Sequence, residues 1–374
     1  MTENLNPTQR EEQAYIATLE EELTSFLDYQ RKVLTGISPD TLPLLDAIAE
    51  LSTGGKRLRA LLAYWGWRGA GGASILSEEK PLEIIRAGVA LELFQSSALI
   101  HDDIIDRSDT RRGNPSVHKR FEATHEAKNW QGDTFNYGLT GGILAGDLTL
   151  AWCEQMFSSI GQGALYGTEA RRIFDVMRTE VLAGQYLDVY SEVIGSEDAD
   201  TALARAKNVI RFKSARYSCE HPLTLGGALA LGERGHREHA LLDSYRAFGL
   251  PLGEGFQMRD DELGVFGQPE TTGKPAGDDL REGKRTVLVA LTLQRTDEAG
   301  RALIESALGD ADLSDERVEE IRELMKSSGA LKELEQMIML KSMEVDSALR
   351  YLEIPSEYRM ALHKVASRAL HRKH

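Results

Sequence analysis

Aspartates crowd into two apolar, helix-periodic runs of this chain, and that placement narrows the folds open to it. One cluster, Asp102-Asp103-Ile104-Ile105-Asp106, lies in LIHDDIIDR and follows ALELFQSSALI. The other, Asp260-Asp261, lies in FQMRDDELG. On a helix Asp102 and Asp106 share a face at i,i+4, while Asp103 points about 100° away. Carboxylates at this spacing repel, and in apolar sequence they need a cation. Mg²⁺ is the natural one, a hard ion that takes one or two carboxylates and completes its shell with phosphate oxygens and water. His101 beside the cluster reads as a histidine that supports a ligand or fills the core, not as a ligand itself.

Basic residues follow each cluster. Arg111 and Arg112 stand just before the helix breakers Gly113, Asn114 and Pro115, and guanidinium groups match phosphate oxygens two at a time. Upstream, residues 54–59 read GGKRLR. Gly54 and Gly55 loosen the backbone ahead of a helix whose N-terminus offers N–H groups to anions. Lys56 and Arg59 are three apart and share a face. The GxxxxGK[ST] spacing of a nucleotide-binding loop is absent. Gln257, Asp260 and Asp261 share a helix at i, i+3 and i+4. Beyond them Lys274, Lys284 and Arg285 flank Asp278 and Asp279 on a Gly- and Pro-rich loop, suited to closing over a metal-bound anion. Lys213 lies beside Ser214 in RFKSARYS. The residues thus point to a metal-bound diphosphate held between two acid-bearing helices.

A chain of 374 residues can bury a large core. Its formal net charge of −15 opposes a general nucleic-acid binder, which would expose a basic surface to phosphates. The two cysteines, Cys153 and Cys219, lack metal-ligand spacing and read as small core residues. The N-terminal MTENLNPTQREEQ lacks the basic and apolar regions of a signal peptide. No window reaches the ~18 apolar residues of a membrane span, so no integral membrane segment and a cytoplasmic location are expected. Helical period runs through Ile16, Leu19, Leu23, Phe26 and Leu27 and again from Pro81 to Arg107, the latter ~40 Å if unbroken. Further helices are expected over 143–160, 169–193, 203–232, 238–263, 285–307, 314–325 and 330–352. Loops are expected near 66–74, 122–142 and 266–284, where Gly and Pro gather. The expectation is one all-α domain over residues 1–374.

The ordered set GGKRLR, Gln95, DDIID with RRG, FKSA, QMRDD, TGKP and EGKRT, spanning residues 54–285, resembles the trans-type isoprenyl diphosphate synthases, the polyprenyl synthetase family. That resemblance implies a helical bundle around a deep central cavity (the isoprenoid synthase type), usually a homodimer. It implies a prenyltransferase that condenses isopentenyl diphosphate head-to-tail with allylic diphosphates and releases diphosphate. Metal binding would fall to Asp102, Asp106 and Asp260 with Asp103 and Asp261 in support, using three Mg²⁺ per site. Arg111, Lys213, Gln257, Lys274 and Lys284 would surround the allylic diphosphate. Lys56, Arg59, Gln95 and Arg112 would hold isopentenyl diphosphate. Ser214 and Gln257 would stabilise the allylic cation. Gln95 stands where the family often has His, Ser214 where it has Thr, and Ala60 where it prefers Pro. Gly264 occupies the place of the usual third aspartate of the second motif, which implies weaker metal affinity without loss of activity.

Product length is expected from the helix carrying Asp102. Ala98 and Ser97 precede it by four and five residues, where short-product members of the family carry an aromatic ring. Small side chains there leave a passage open, with Phe94 a turn deeper as a floor. The expected product is geranylgeranyl diphosphate; a longer polyprenyl diphosphate is the alternative, and a catalytically silent regulatory subunit a further one. A class I terpene cyclase is disfavoured, because its Asn/Ser/Glu metal motif is not evident and GGKRLR would have no role.

Overall fold

The structure is a computed structural model, and it describes residues 6–194, 198–267 and 277–370. Among them regular structure is helical apart from one hairpin, Thr110–Arg111 paired antiparallel with Asn114–Pro115. The all-α expectation is met. The chain forms two compact units. The first runs up to Arg172 and includes Pro222–His239 and Ile354–Ala361; the second comprises Ile173–His221, Ala240–Glu353 and the residues from Leu362 on.

The first unit holds α1 (Pro7–Ile37), α2 (Leu42–Ser52), α3 (Leu58–Gly69), α4 (Leu82–Ile105), α5 (Val117–Ala127) and α6 (Thr134–Ser158). The central helix is α4, which packs on α1, α3 and α6. It is therefore apolar nearly all round, with Ile84, Val89, Leu91, Leu93 and Phe94 buried. Between Ala87 and Ile100 only Gln95, Ala98 and Leu99 keep partial exposure. They fall on one stripe with Asp102 and Asp106, at i, i+3, i+4, i+7 and i+11.

The stretch 122–142 departs from its expected loop. Residues up to Ala127 belong to α5 and those from Thr134 belong to α6. The glycines in GLTGG do not break α6; they let other helices approach it. A Cβ on Gly141 would lie 2.5 Å from the Phe121 ring, and one on Gly142 2.8 Å from Ile104. Glycine reads as a breaker in sequence because its packing partners are remote.

The second unit holds α7 (Glu169–Val193, from Ile173 on), α8 (Ala199–Val209), a π-helical run Ile210–Glu220, α10 (Ala240–Phe266), α11 (Asp278–Glu282), α12 (Val287–Arg295), α13 (Glu298–Ala307), α14 (Asp315–Ser327) and α15 (Ala330–Tyr351); α9 (His221–Leu231) belongs, from Pro222, to the first unit, and α16 (Ser356–Leu370) closes the described chain. Its core gathers Met258, Leu288, Leu291, Ile304, Ile321 and Leu334. Two expected helices are divided. The span 203–232 changes to π geometry over residues 210–220, and 285–307 breaks at Thr296, where the Asp297 side chain caps the next helix by accepting from Gly300 N at 2.9 Å.

The π-helical run carries Lys213 and Ser214 and lies in a slot made by two glycines. A Cβ on Gly184 of α7 would come within 2.4 Å of Lys213 N, and one on Gly253 of α10 within 2.3 Å of Ala215 O. Backbone meets backbone on both sides, which fixes the run without side-chain intermediaries. Insertion of one extra residue per turn is a common device for re-aiming side chains at functional positions. Gly184→Val is expected to lower stability by about 1–3 kcal/mol or more in denaturant unfolding, since it overpacks against backbone. Gly36→Ala, at the end of α1 with nothing within 4 Å of the added Cβ, is expected to be neutral or to stabilise by up to about 1 kcal/mol. Equal effects of the two would refute the slot.

Candidate active site

In the first unit the acids of α4 divide by environment. Asp103 is 1 % exposed and is taken up by Arg111, whose Nε donates to its Oδ1 at 2.8 Å, with Nη2 closing the pair. Arg111 Nη2 also lies 3.7 Å from Asp102 Oδ2. The hairpin turns Arg111 back onto the helix that the acids end. Asp102 and Asp106 stay on the partly exposed stripe, and Asp106 closes α4 by donating its N–H to Asp102 O at 2.8 Å.

Of the expected isopentenyl diphosphate residues, Lys56 lies on the turn before α3 and Arg112 packs against that turn, while Arg59 stands on the first turn of α3. Gly54 and Gly55 take φ of 71° and 98°, and Arg57 itself is left-handed at 48°. Arg57 is 4 % exposed. Its Nη1 donates to Glu92 Oε2 at 2.8 Å, its Nη2 to Glu20 Oε1 at 2.6 Å and to Ser52 O at 2.8 Å. This buried cation ties the GGKRLR turn to α4 three residues before Gln95. Arg112 donates to Leu51 O at 3.1 Å, and its guanidinium would lie 3.5 Å from a Cβ on Gly55. Burial lowers the Arg112 pKa, the neighbouring charge of Arg57 lowers it further, Glu92 opposes, and Arg111 and Arg59 add to the lowering. Four guanidinium groups thus crowd one region, and an anion there would relieve their repulsion. Lys56 is exposed and Arg59 half-buried.

In the second unit Asp260 is exposed and Asp261 buried. Gln257 Nε2 donates to Asp261 Oδ1 at 2.8 Å. Burial nevertheless pushes the Asp261 carboxyl up to about 8, and the charges of Asp279, Asp260 and Asp188 add to the rise. Lys213 Nζ meets Asp188 Oδ2 at 2.6 Å. Lys284 Nζ lies 3.6 Å from Asp279 Oδ1 and pairs more closely with Glu282. Ser214 is half-buried beside Lys213. Lys274 lies outside the described residues.

These donors fit Mg²⁺. They are carboxylate oxygens, the hard donors that Mg²⁺ takes, and at Asp261 burial and neighbouring carboxylates oppose ionisation, which a divalent cation would reverse. Among the described residues no three His, Cys, Asp or Glu side chains are arranged to hold a metal by themselves.

Sequence reasoning missed Arg57 with its partners Glu20 and Glu92, and it missed Asp188. None carries a motif, since each acts through a contact many residues away. The product-length residues also separate. Ser97 is 2 % exposed and donates its hydroxyl to Gly146 O of α6 at 2.9 Å, and Phe94 is 1 % exposed. Ala98, and Leu99 beside it, are the ones on the partly exposed stripe.

A family model described as polyprenyl synthetase matches residues 43–325. A geranylgeranyl pyrophosphate synthase from Corynebacterium glutamicum, solved with isoprenyl diphosphate and magnesium, has a TM-score of 0.88 and 40% identity, over 96% of this chain and 99% of that one. A geranylgeranyl diphosphate synthase of Sulfolobus acidocaldarius is 32% identical over 301 residues, 79% of each chain. A geranylfarnesyl diphosphate synthase of Aeropyrum pernix is 30% identical over 308 residues, 82% of this chain and 86% of that one. The chain belongs to the polyprenyl synthetase family, and its all-helical fold is that of the isoprenoid synthases. It is a trans-prenyltransferase of the geranylgeranyl diphosphate synthase-like kind. No helix among the described residues is long and apolar enough to cross a membrane.

The Arg57 cluster has a measurable signature. Arg57→Leu removes the ion-pair partner of buried Glu92 and is expected to cost about 3–5 kcal/mol in denaturant unfolding, while Arg57→Leu with Glu92→Leu recovers most of that loss. A single variant within about 1 kcal/mol of the parent would show that the pair does not organise this turn.

Proposed function

We propose that the chain condenses isopentenyl diphosphate with allylic diphosphates to make geranylgeranyl diphosphate, as a homodimer, with three Mg²⁺ in each active site. The observation that carries the reaction is the company each aspartate motif keeps: Asp102 and Asp103 with Arg111, and Asp261 with Asp188 and Asp279, which pair with Lys213 and Lys284. Residues 1–374 would act as a single catalytic domain. The chain would work in the reducing cytoplasm, with its two buried cysteines as small core residues.

When bound, Mg²⁺ supplies neutralisation of the charge that builds on the departing diphosphate. Asp102, Asp106 and Asp260 would hold it, with Asp103 fixed by Arg111 and Asp261 by Gln257. Lys213, Lys284 and Arg111 hold the allylic diphosphate, and Asp188 keeps Lys213 extended toward its task. Lys56, Arg59, Gln95 and Arg112 orient isopentenyl diphosphate so that its π-bond faces the allylic carbon. Ser214 and Gln257 offer oxygen dipoles to the allylic cation. The released diphosphate takes the proton, so no protein base is assigned.

The product reading rests on the stripe of α4 below Asp102. Ala98 is small and Leu99 is not aromatic, so the growing tail can pass along the helix. Relatives of similar identity carry names of different product length, which makes this the decisive assay. Incubation with labelled isopentenyl diphosphate and chain-length chromatography is expected to give geranylgeranyl diphosphate, and Ala98→Phe to shorten it to farnesyl diphosphate. Farnesyl diphosphate from the unaltered chain would refute the open stripe, and longer products would favour a polyprenyl synthase. Asp106→Ala is expected to lower kcat by about a thousandfold or more with the fold intact; near-normal turnover would reject the metal assignment.

A further inference from the structure

The π-helical run Ile210–Glu220 is 11 residues long. π geometry is rare and mostly confined to single turns, so a run of this length has to be held from outside. Glycines do part of this. Besides Gly184 and Gly253, a Cβ on Gly249 of α10 would lie 2.6 Å from Glu220 Cα. Such contacts let the backbone approach, but they have no preferred direction and do not stop the run from turning. Arg211 supplies the directional hold. Its Nε and Nη2 both donate to Glu254 Oε1 at 3.0 Å. Glu254 is 6 % exposed and directly follows Gly253 on α10. Its other oxygen, Oε2, lies 3.0 Å from Lys341 Nζ of α15. One buried carboxylate thus fastens the first turn of the run to two helices. Lys213 stands two residues further on and meets Asp188 of α7.

We propose that Arg211 and Glu254 are positioning residues: they lock the π register at its first turn, and so hold Lys213 in the direction from which its ammonium meets the allylic diphosphate. The inference rests on the assignment of Lys213 to that diphosphate and deepens it. Residues two apart leave a helix on nearly opposite sides, and the partners follow suit, Glu254 on α10 for Arg211 and Asp188 on α7 for Lys213. One side of the run anchors and the other works. Lys341 holds the second oxygen of Glu254, which leaves the carboxylate one orientation to offer Arg211. The Arg211 side chain is 46 % exposed, so the pair adds little to global stability, and its effect is local. Relaxation of the run to α geometry would turn Lys213 relative to α7.

The test is a double-mutant cycle on the full chain, read as the Kd of farnesyl diphosphate in Mg²⁺ without isopentenyl diphosphate, by calorimetry. Binding isolates Lys213, because Ser214 is assigned to a cation that forms only during reaction. A loss of folded protein lowers the number of sites and leaves Kd unchanged, so the readout separates positioning from stability. Arg211→Met keeps the aliphatic stem and leaves Glu254 paired with Lys341. It is expected to raise Kd about fivefold, and Glu254→Gln to raise it in the same direction. Lys213→Ala is expected to raise Kd about tenfold or more. Arg211→Met with Lys213→Ala is expected to bind within about twofold of Lys213→Ala alone, because nothing is left to position. A further fivefold loss in the double variant, or parent-like Kd in both Arg211→Met and Glu254→Gln, would overturn the proposal. Lys213→Ala separates the two levels. A parent-like Kd there removes the assignment of Lys213, and the proposal with it; a large loss there beside parent-like Arg211 and Glu254 variants keeps the assignment and removes the proposal alone.

Discussion

Carboxylates held close together on ordered helices repel, and each must be compensated from within the protein or from outside it. This chain does both, residue by residue. Asp103 is buried and answered internally by Arg111. Asp261 is buried and accepts from the amide of Gln257, and its carboxyl is pushed up to about 8. Asp102 and Asp106 keep partial exposure and Asp260 is open. The acids that would ligate a cation are thus the ones the fold leaves accessible, and the neighbours that orient them are the ones it buries. The guanidinium groups around Arg112 present the same problem with the opposite sign, and a diphosphate would answer it.

Positioning is achieved by close backbone approach and by buried ion pairs more than by side-chain packing. Gly184 and Gly253 hold the π-helical run against two helices, so Lys213 and Ser214 leave it in fixed directions. Arg57 takes a left-handed conformation that few non-glycine residues adopt, and two glutamates and a carbonyl hold it there. Its burial links the turn bearing Lys56 to the helix bearing Gln95. These devices cost stability locally, through helical glycines and a strained backbone, and they give the rigidity that charge stabilisation of a leaving group requires.

The helical class and the two aspartate motifs were legible because each is written in short-range spacing: i,i+4 for Asp102 and Asp106, i,i+3,i+4 for Gln257, Asp260 and Asp261. What spacing does not encode was missed or misread. The glycines of GLTGG resemble loop glycines until Phe121 and Ile104 are placed against them. Asp188 and Glu92 carry no motif, because their meaning comes from Lys213 and Arg57. Ser97 and Ala98 are adjacent in the chain, yet the 100° step of a helix sends one toward α6 and leaves the other on the exposed stripe.

The central claim is that metal and diphosphate are bound together, each completing what the other lacks. Thermal unfolding with Mg²⁺ alone, inorganic pyrophosphate alone and both together measures this directly, since a ligand that binds only the folded state raises Tm. The account predicts a large rise with both, little with either alone, and loss of the joint effect in Asp102→Ala and Asp260→Ala. A Tm that responds fully to Mg²⁺ alone, or a joint response untouched by both substitutions, would contradict it.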